Sequence, residues 1–192
     1  MVSSQLKLGL GLGLAFFVLG AGAFSYFPNV SNQDYEPEQP MPFSHKIHAG
    51  DNKIACMYCH SAPEKSRHST IPSMNVCMNC HTVVKADSPY IKKLQEYYKE
   101  GRSIEWVRVH ELPDYVYFPH KRHLARGLVC LDCHGDVKTM ERVYQFSPLT
   151  MGWCIDCHRG KTTPKTVVAQ MFPGKKNYQG PVATVNCSAC HF

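Results

Sequence analysis

The chain has 192 residues with 44% hydrophobic and 19% charged side chains, enough for one domain of ordinary size plus an appendage, and this composition alone describes a soluble globular protein. Its formal net charge of +6 would suit an acidic partner or nucleic acid. Its ten cysteines fall into C-x-x-C-H pairs with none left over, which argues against a disulfide scaffold, whose cysteines are not confined to such pairs, and against zinc knuckles, where no histidine need follow.

In chain order, residues 8–27, LGLGLGLAFFVLGAGAFSYF, form an uncharged stretch of 20 residues, the length a helix needs to cross a bilayer. Lys7 and the small residues Ala21-Gly22-Ala23 also resemble the ends of a removable export signal, but retention of residues 1–27 as a transmembrane anchor is the expectation. With Lys7 before the span and Asp34, Glu36 and Glu38 after it, the remainder belongs on the periplasmic side of a bacterial cytoplasmic membrane. Gly9 and Gly13 have the spacing that lets another membrane helix approach closely. Pro28, Pro37, Pro40 and Pro42 among polar and acidic residues predict an extended linker over 28–42.

The region 43–192 opens on Phe43-Ser-His45-Lys-Ile-His48, followed by Cys56-Met-Tyr-Cys59-His60 and Cys77-Met-Asn-Cys80-His81. The same order returns as Phe118-Pro-His120-Lys-Arg-His123, then Cys130-Leu-Asp-Cys133-His134 and Cys154-Ile-Asp-Cys157-His158, and Cys187-Ser-Ala-Cys190-His191 stands at the C-terminal end. In C-x-x-C-H the two thiols add to the two vinyl groups of a haem and the histidine coordinates its iron. Five haems c are therefore expected, in dihaem modules 43–81 and 118–158 joined by a connector 82–117, with the fifth haem held by 159–192. In the connector a helix is predicted from an Asp87 or Ser88 cap, through Pro89, to Gly101, with Ile91, Leu94 and Tyr98 on one face. Ile104–Val109 is β-prone but short, and residues 159–186 read as loop. Short helices are expected at the attachment motifs in an otherwise irregular fold. With about 27 residues per haem between Cys56 and His191, the haems themselves must supply the core.

Each haem iron has a second axial position. Of eleven histidines, five are the proximal ligands His60, His81, His134, His158 and His191, which leaves His45, His48, His68, His110, His120 and His123 for five vacancies. His45, His48, His120 and His123 are the expected distal ligands, the first of each pair serving its own motif and the second reaching toward a different haem. His68, His110 and Met140 compete for the last position, and a methionine there would mark a haem of higher potential. Met74 and Met151, three residues before their motifs, are expected to pack rather than ligate. Propionates also revise the charge, since five haems bring the assembly to about +1 oxidised or about −4 reduced, and the basic balance is no evidence for nucleic acid.

The anchor, the paired F-x-H-x-x-H units, the string Val109–Phe118 (VHELPDYVYF) and the string Met151–Arg159 (MGWCIDCHR) together resemble the pentahaem cytochrome subunit of bacterial alternative complex III, over nearly the whole chain. That resemblance implies an electron-transfer subunit without a catalytic site of its own, relaying electrons from a quinol-oxidising membrane complex. Its implied partners are an iron–sulfur subunit related to molybdopterin enzymes, quinol-binding integral membrane subunits, and a monohaem cytochrome c or terminal oxidase as acceptor. With one residue after His191, the fifth haem is expected to need cover from a partner. A free-standing anchored quinol dehydrogenase would need a quinol pocket that one helix makes poorly. A multihaem oxoanion reductase would need an open iron, often marked by C-x-x-C-K, and none occurs.

Overall fold

The computed structural model describes residues 4–26, 31–174 and 180–191. Phe27, Phe192 and part of the predicted 159–186 loop lie outside them. The chain divides into two units, Met1–Asn32 and Gln33–Phe192.

The first unit is one helix, α1 (Ser4–Tyr26), unbroken by its glycines because its leucines and phenylalanines supply helix-forming bulk between them. Its window Leu8–Ser25 has a mean hydropathy of 1.9 and is wholly exposed within the chain. By length and composition it can cross a membrane, a test that a signal sequence also passes.

The second unit consists of short helices joined by irregular chain, with no strand among its described residues. A π-helical turn Lys46–Asp51 is followed by α2 (Cys56–Cys59), α3 (Met74–His81) and α4 (Pro89–Lys99). Then come α5 (His120–Leu124), α6 (Cys130–His134), a 3-10 turn Val137–Thr139, α7 (Met151–His158), α8 (Lys165–Met171) and a 3-10 turn Cys187–Ala189. α4 forms close to expectation: Ser88 stands at its N-cap position without a side-chain capping bond, Pro89 presets its first turn, Gly101 follows it at φ 68°, and Leu94 is its buried residue. It is tied to α3 through the Gln95 side chain, whose Nε2 donates to the otherwise unpaired carbonyl of His81 at 2.8 Å.

Two segments differ from expectation. Ile104–Val109 forms no strand: the N–H and C=O of Val107 are both taken by the Gln39 side-chain amide, at 2.9 and 3.0 Å, which supplies what a neighbouring strand would. The region expected as loop holds α8, which starts after Pro164 and buries Val167. Residues 33–41 lie along this unit: Asp34 and Tyr35 exchange backbone bonds with Gln145 at 2.8 and 3.1 Å, and Met41 is buried. Gln145 is the most buried large side chain, and no sequence pattern marked it.

The buried hydrophobic residues among those described are Met41, Leu94, Val109, Met140 and Val167. Five side chains are far too few to hold about 160 residues together by apolar burial. Such a chain needs cross-linking cofactors as its core.

Gly135, directly after His134, has φ 68° and ψ −170°, a region that only glycine occupies without strain. A Cβ there would also stand 2.6 Å from Cγ of Phe146. Gly135→Ala is expected to cost about 2–4 kcal/mol of stability, read as an earlier denaturant midpoint of the haem-loaded protein at unchanged slope.

Candidate functional site

Each attachment motif sits on one helical turn, which places its two cysteines, three residues apart, on the same face and sends the following histidine alongside. Thr150 starts the fourth turn by accepting from the Trp153 N–H, and Asn186 starts the fifth by accepting from Ser188. All ten thiols are unpaired. Burial raises the pKa of Cys59, Cys77, Cys130 and Cys154, and pushes Cys133 up to about 11. A C-x-x-C redox centre depends on a lowered thiol pKa, the opposite direction to the shift of these five thiols. Nor do three or more His, Cys, Asp or Glu converge as a zinc site requires, among the described residues.

The histidines carry the more specific signal. Nδ1 of His60 lies 2.7 Å from the Thr70 carbonyl, that of His81 3.0 Å from Val84, and that of His158 2.6 Å from Thr184. In the F-x-H-x-x-H units, Nδ1 of His48 meets the Ser44 carbonyl at 2.8 Å, His120 meets Arg67 at 2.9 Å, and His123 meets Pro119 at 3.0 Å. A carbonyl can only accept, so in all six rings the proton is on Nδ1 and the Nε2 lone pair is left free for a metal. His134 differs, with its Nδ1 3.1 Å from Nε2 of His110. The buried Nδ1 of His45 has no partner. Burial, helped by neighbouring imidazoles, lowers the pKa of His45 to about 4 and of His134 to about 3, so both are neutral at pH 7, as a ligand to iron must be.

Ring spacings test whether haem fits. An imidazole nitrogen about 2 Å from iron puts its ring centroid roughly 3 Å away, so two rings on opposite faces of one haem stand about 6 Å apart. His48 and His81 are 6.1 Å apart, His123 and His158 6.2 Å, and His120 and His134 6.5 Å with ring planes within 4°. After burial, His60 is the largest influence on the lowered pKa of His45, in line with the repeat. The phenylalanine opening each unit braces both its histidines. Phe43 meets His45 edge-on at 5.0 Å and stacks on His48 at 4.4 Å, while Phe118 meets His120 at 4.9 Å and His123 at 4.3 Å. In the sequence these phenylalanines mark the repeat; only the structure reveals the bracing.

The C-terminal motif is held by residues 115–117. Tyr117 N–H donates to the Cys190 carbonyl at 2.7 Å, Val116 forms an antiparallel bridge with His191, and the Tyr115 ring stands 5.7 Å from that of His191. Arg67 bonds the Val116 carbonyl at 3.2 Å and lies over the Tyr117 ring, which brings its neighbour His68, an exposed residue, to this end of the unit. Met140 is buried, and Met151 is 68% exposed.

Several of the motifs lie near one another. Asn79 in the second donates to the Tyr58 hydroxyl in the first at 3.0 Å. Cys56 of the first lies close enough to Cys130 of the third to help raise its pKa. Cys133 of the third feels Cys157 and Cys154 of the fourth, and Cys154 feels Cys190 of the fifth.

Residues 116–192 match the family model described as cytochrome c7 and related cytochrome c. Over 144 residues, covering 64% of this chain and 69% of the relative, the sequence is 36% identical to the multihaem cytochrome c subunit of menaquinone reductase from Nitratidesulfovibrio vulgaris. With its thiols on helical turns and its histidine rings set about 6 Å apart in pairs, the chain belongs to the family of multihaem cytochrome c subunits that includes this relative, and it carries covalently bound haem of the c type.

Proposed function

We propose that the chain holds five haems c and serves as the electron-transfer subunit of a membrane quinone oxidoreductase, relaying single electrons between quinone-binding partners and a periplasmic carrier. The observation that carries this reading is the set of ring pairs 6.1 to 6.5 Å apart, which leave no open position at the irons they would hold. The attachment cysteines are Cys56 and Cys59, Cys77 and Cys80, Cys130 and Cys133, Cys154 and Cys157, and Cys187 and Cys190. The axial pairs are His60 with His45, His81 with His48, His134 with His120, His158 with His123, and His191 with His68. Bound haem supplies a reversible one-electron couple; the chain's residues anchor it, hold the ligand rings and exclude small-molecule substrates from the metal.

Adjacency of the motifs supports a relay in the order second, first, third, fourth, fifth haem, with the second and fifth as terminals. Residues 1–27 anchor the unit to the cytoplasmic membrane, leaving the haems on the periplasmic side. In the direction implied by the resemblance to alternative complex III, electrons pass from quinol through an iron–sulfur subunit and integral membrane subunits to a monohaem cytochrome c or terminal oxidase. The relative is a subunit of a menaquinone reductase, and that favours a second reading in which the same relay runs toward menaquinone. Either direction uses the same rings.

The denatured chain is expected to keep its haem stain and to gain the mass of five haems. Four or fewer, with thiols left to alkylate, would contradict the pentahaem reading. Purification of the native membrane complex, assayed with quinol and oxidised cytochrome c and then with menaquinone and a reduced donor, decides the direction.

A further inference from the structure

His110 was one of three candidates for the last iron ligand. Resting on the pentahaem reading, the geometry points to a different role: we infer that His110 is a positioning residue that holds and polarises His134, the proximal ligand of the third haem.

The argument begins from attachment. Cys133 precedes His134, and a histidine placed there presents Nε2 to the iron, so its Nδ1 bears the ring proton. That Nδ1 lies 3.1 Å from Nε2 of His110. His134 is then the donor, and the His110 Nε2 lone pair is the acceptor. A neutral imidazole has one bare nitrogen, and here it is spent, because the proton of His110 must be on Nδ1. The ring cannot ligate an iron while it makes this bond.

The surroundings hold His110 in that role. Its ring meets that of His134 edge-on, with centroids 4.4 Å apart and planes at 77°. Its backbone is clamped on both sides: Val109 is buried, and the N–H of Glu111 donates to Oε1 of fully buried Gln145 at 3.4 Å. The Arg108 guanidinium bonds the His110 carbonyl at 3.2 Å. The His120 ring lies 6.5 Å from His134 and parallel to it, so the three rings stand in the order His110, His134, His120, with space for one iron between the last two.

His60, His81 and His158 each give the equivalent proton to a backbone carbonyl, on Thr70, Val84 and Thr184. Among the described residues with such a bond, His134 alone gives it to a side chain. An imidazole nitrogen is a stronger acceptor than an amide oxygen, so it leaves more electron density on the ligating ring and favours the ferric state. The third haem, central in the proposed series, is thereby set lower in potential than a carbonyl-held ligand would leave it.

The test uses the full haem-loaded chain in detergent, with His110→Leu, His110→Gln and His68→Leu compared by EPR and by redox titration. His110→Leu is expected to keep five low-spin haems and to raise the midpoint of one of them, while His110→Gln, which restores an amide acceptor, brings that midpoint part of the way back. His68→Leu is expected to produce a high-spin haem instead. A high-spin signal from His110→Leu would make His110 an iron ligand and overturn the inference, and so would an unmoved set of five potentials. If the leucine variant loads too little haem, His110→Gln against the wild type decides alone, because an amide in place of the imidazole must still raise one midpoint. Fewer than five haems in the wild type would instead defeat the reading on which the inference rests.

Discussion

Replacing His123 with alanine is expected to make the haem on Cys154 and Cys157 high-spin, leaving the haem on the nearer motif, Cys130 and Cys133, low-spin. The ring of His123 stands 6.2 Å from that of His158, and its Nδ1 proton is committed to the Pro119 carbonyl, so its free nitrogen is the one that faces the fourth haem. The ring of His120, three residues earlier on the same short helix α5, stands 6.5 Å from that of His134, which is the basis for assigning it to the third haem in the proposal. Removing one imidazole leaves a five-coordinate iron, a high-spin ferric signal, cyanide binding at that haem alone, and a midpoint rise on the order of 100 mV, since axial ligation is the largest lever on haem potential. His48→Ala should do the same to the haem on Cys77 and Cys80, for the equivalent reason. If His123→Ala instead opened the haem on Cys130 and Cys133, the proposed assignment of rings to irons would be wrong. The extra reactivity also makes the variant a control for the reductase alternative: an iron that must be opened by mutation before it binds a small anion is not a substrate site in the native chain.

The second large effect is a loss of activity on isolation. The purified chain should accept electrons from dithionite within mixing time, because six-coordinate haems exchange electrons at their edges without binding a substrate. With a quinol analogue it should be reduced at least roughly 100-fold more slowly than in the intact membrane complex, because a quinol must be held and deprotonated near a haem before it transfers electrons. A surface cavity of about 430 Å³ is lined by Lys65, Ser66, Arg67, Tyr117, Pro119, Lys121, Arg122 and Ala125, a basic and open cleft unsuited to an apolar quinol. Rapid and saturable quinol oxidation by the isolated chain would favour the free-standing anchored dehydrogenase. Removal of residues 1–27 behind another export signal should leave dithionite reduction unchanged, since the haem-carrying unit begins at Gln33.

Chemistry that depends on neighbours along the chain was legible before any fold was known. The attachment motifs are local: two thiols and a histidine within five residues define their cofactor whatever surrounds them. The same holds for the 23-residue helix α1 and for α4, whose cap, proline and terminal glycine are also local devices. The internal repeat was visible for the same reason. Residues distant in sequence were not legible in that way. The approach of His48 to His81 and of His123 to His158 joins residues far apart in the chain, as does the bond between His120 and the Arg67 carbonyl 53 positions away. A β-prone run at 104–109 stayed irregular because a glutamine 68 positions away filled its hydrogen bonds. Counting could not choose between His68 and His110, because both are histidines without a motif; the 3.1 Å approach of His110 to His134 is the observation on which the proposed assignment rests. The sequence by itself determined the cofactor chemistry, because covalent attachment is encoded by adjacent residues. Only the tertiary structure decided which imidazole rings stand near one another, because those relations are set by long-range packing that no local pattern records.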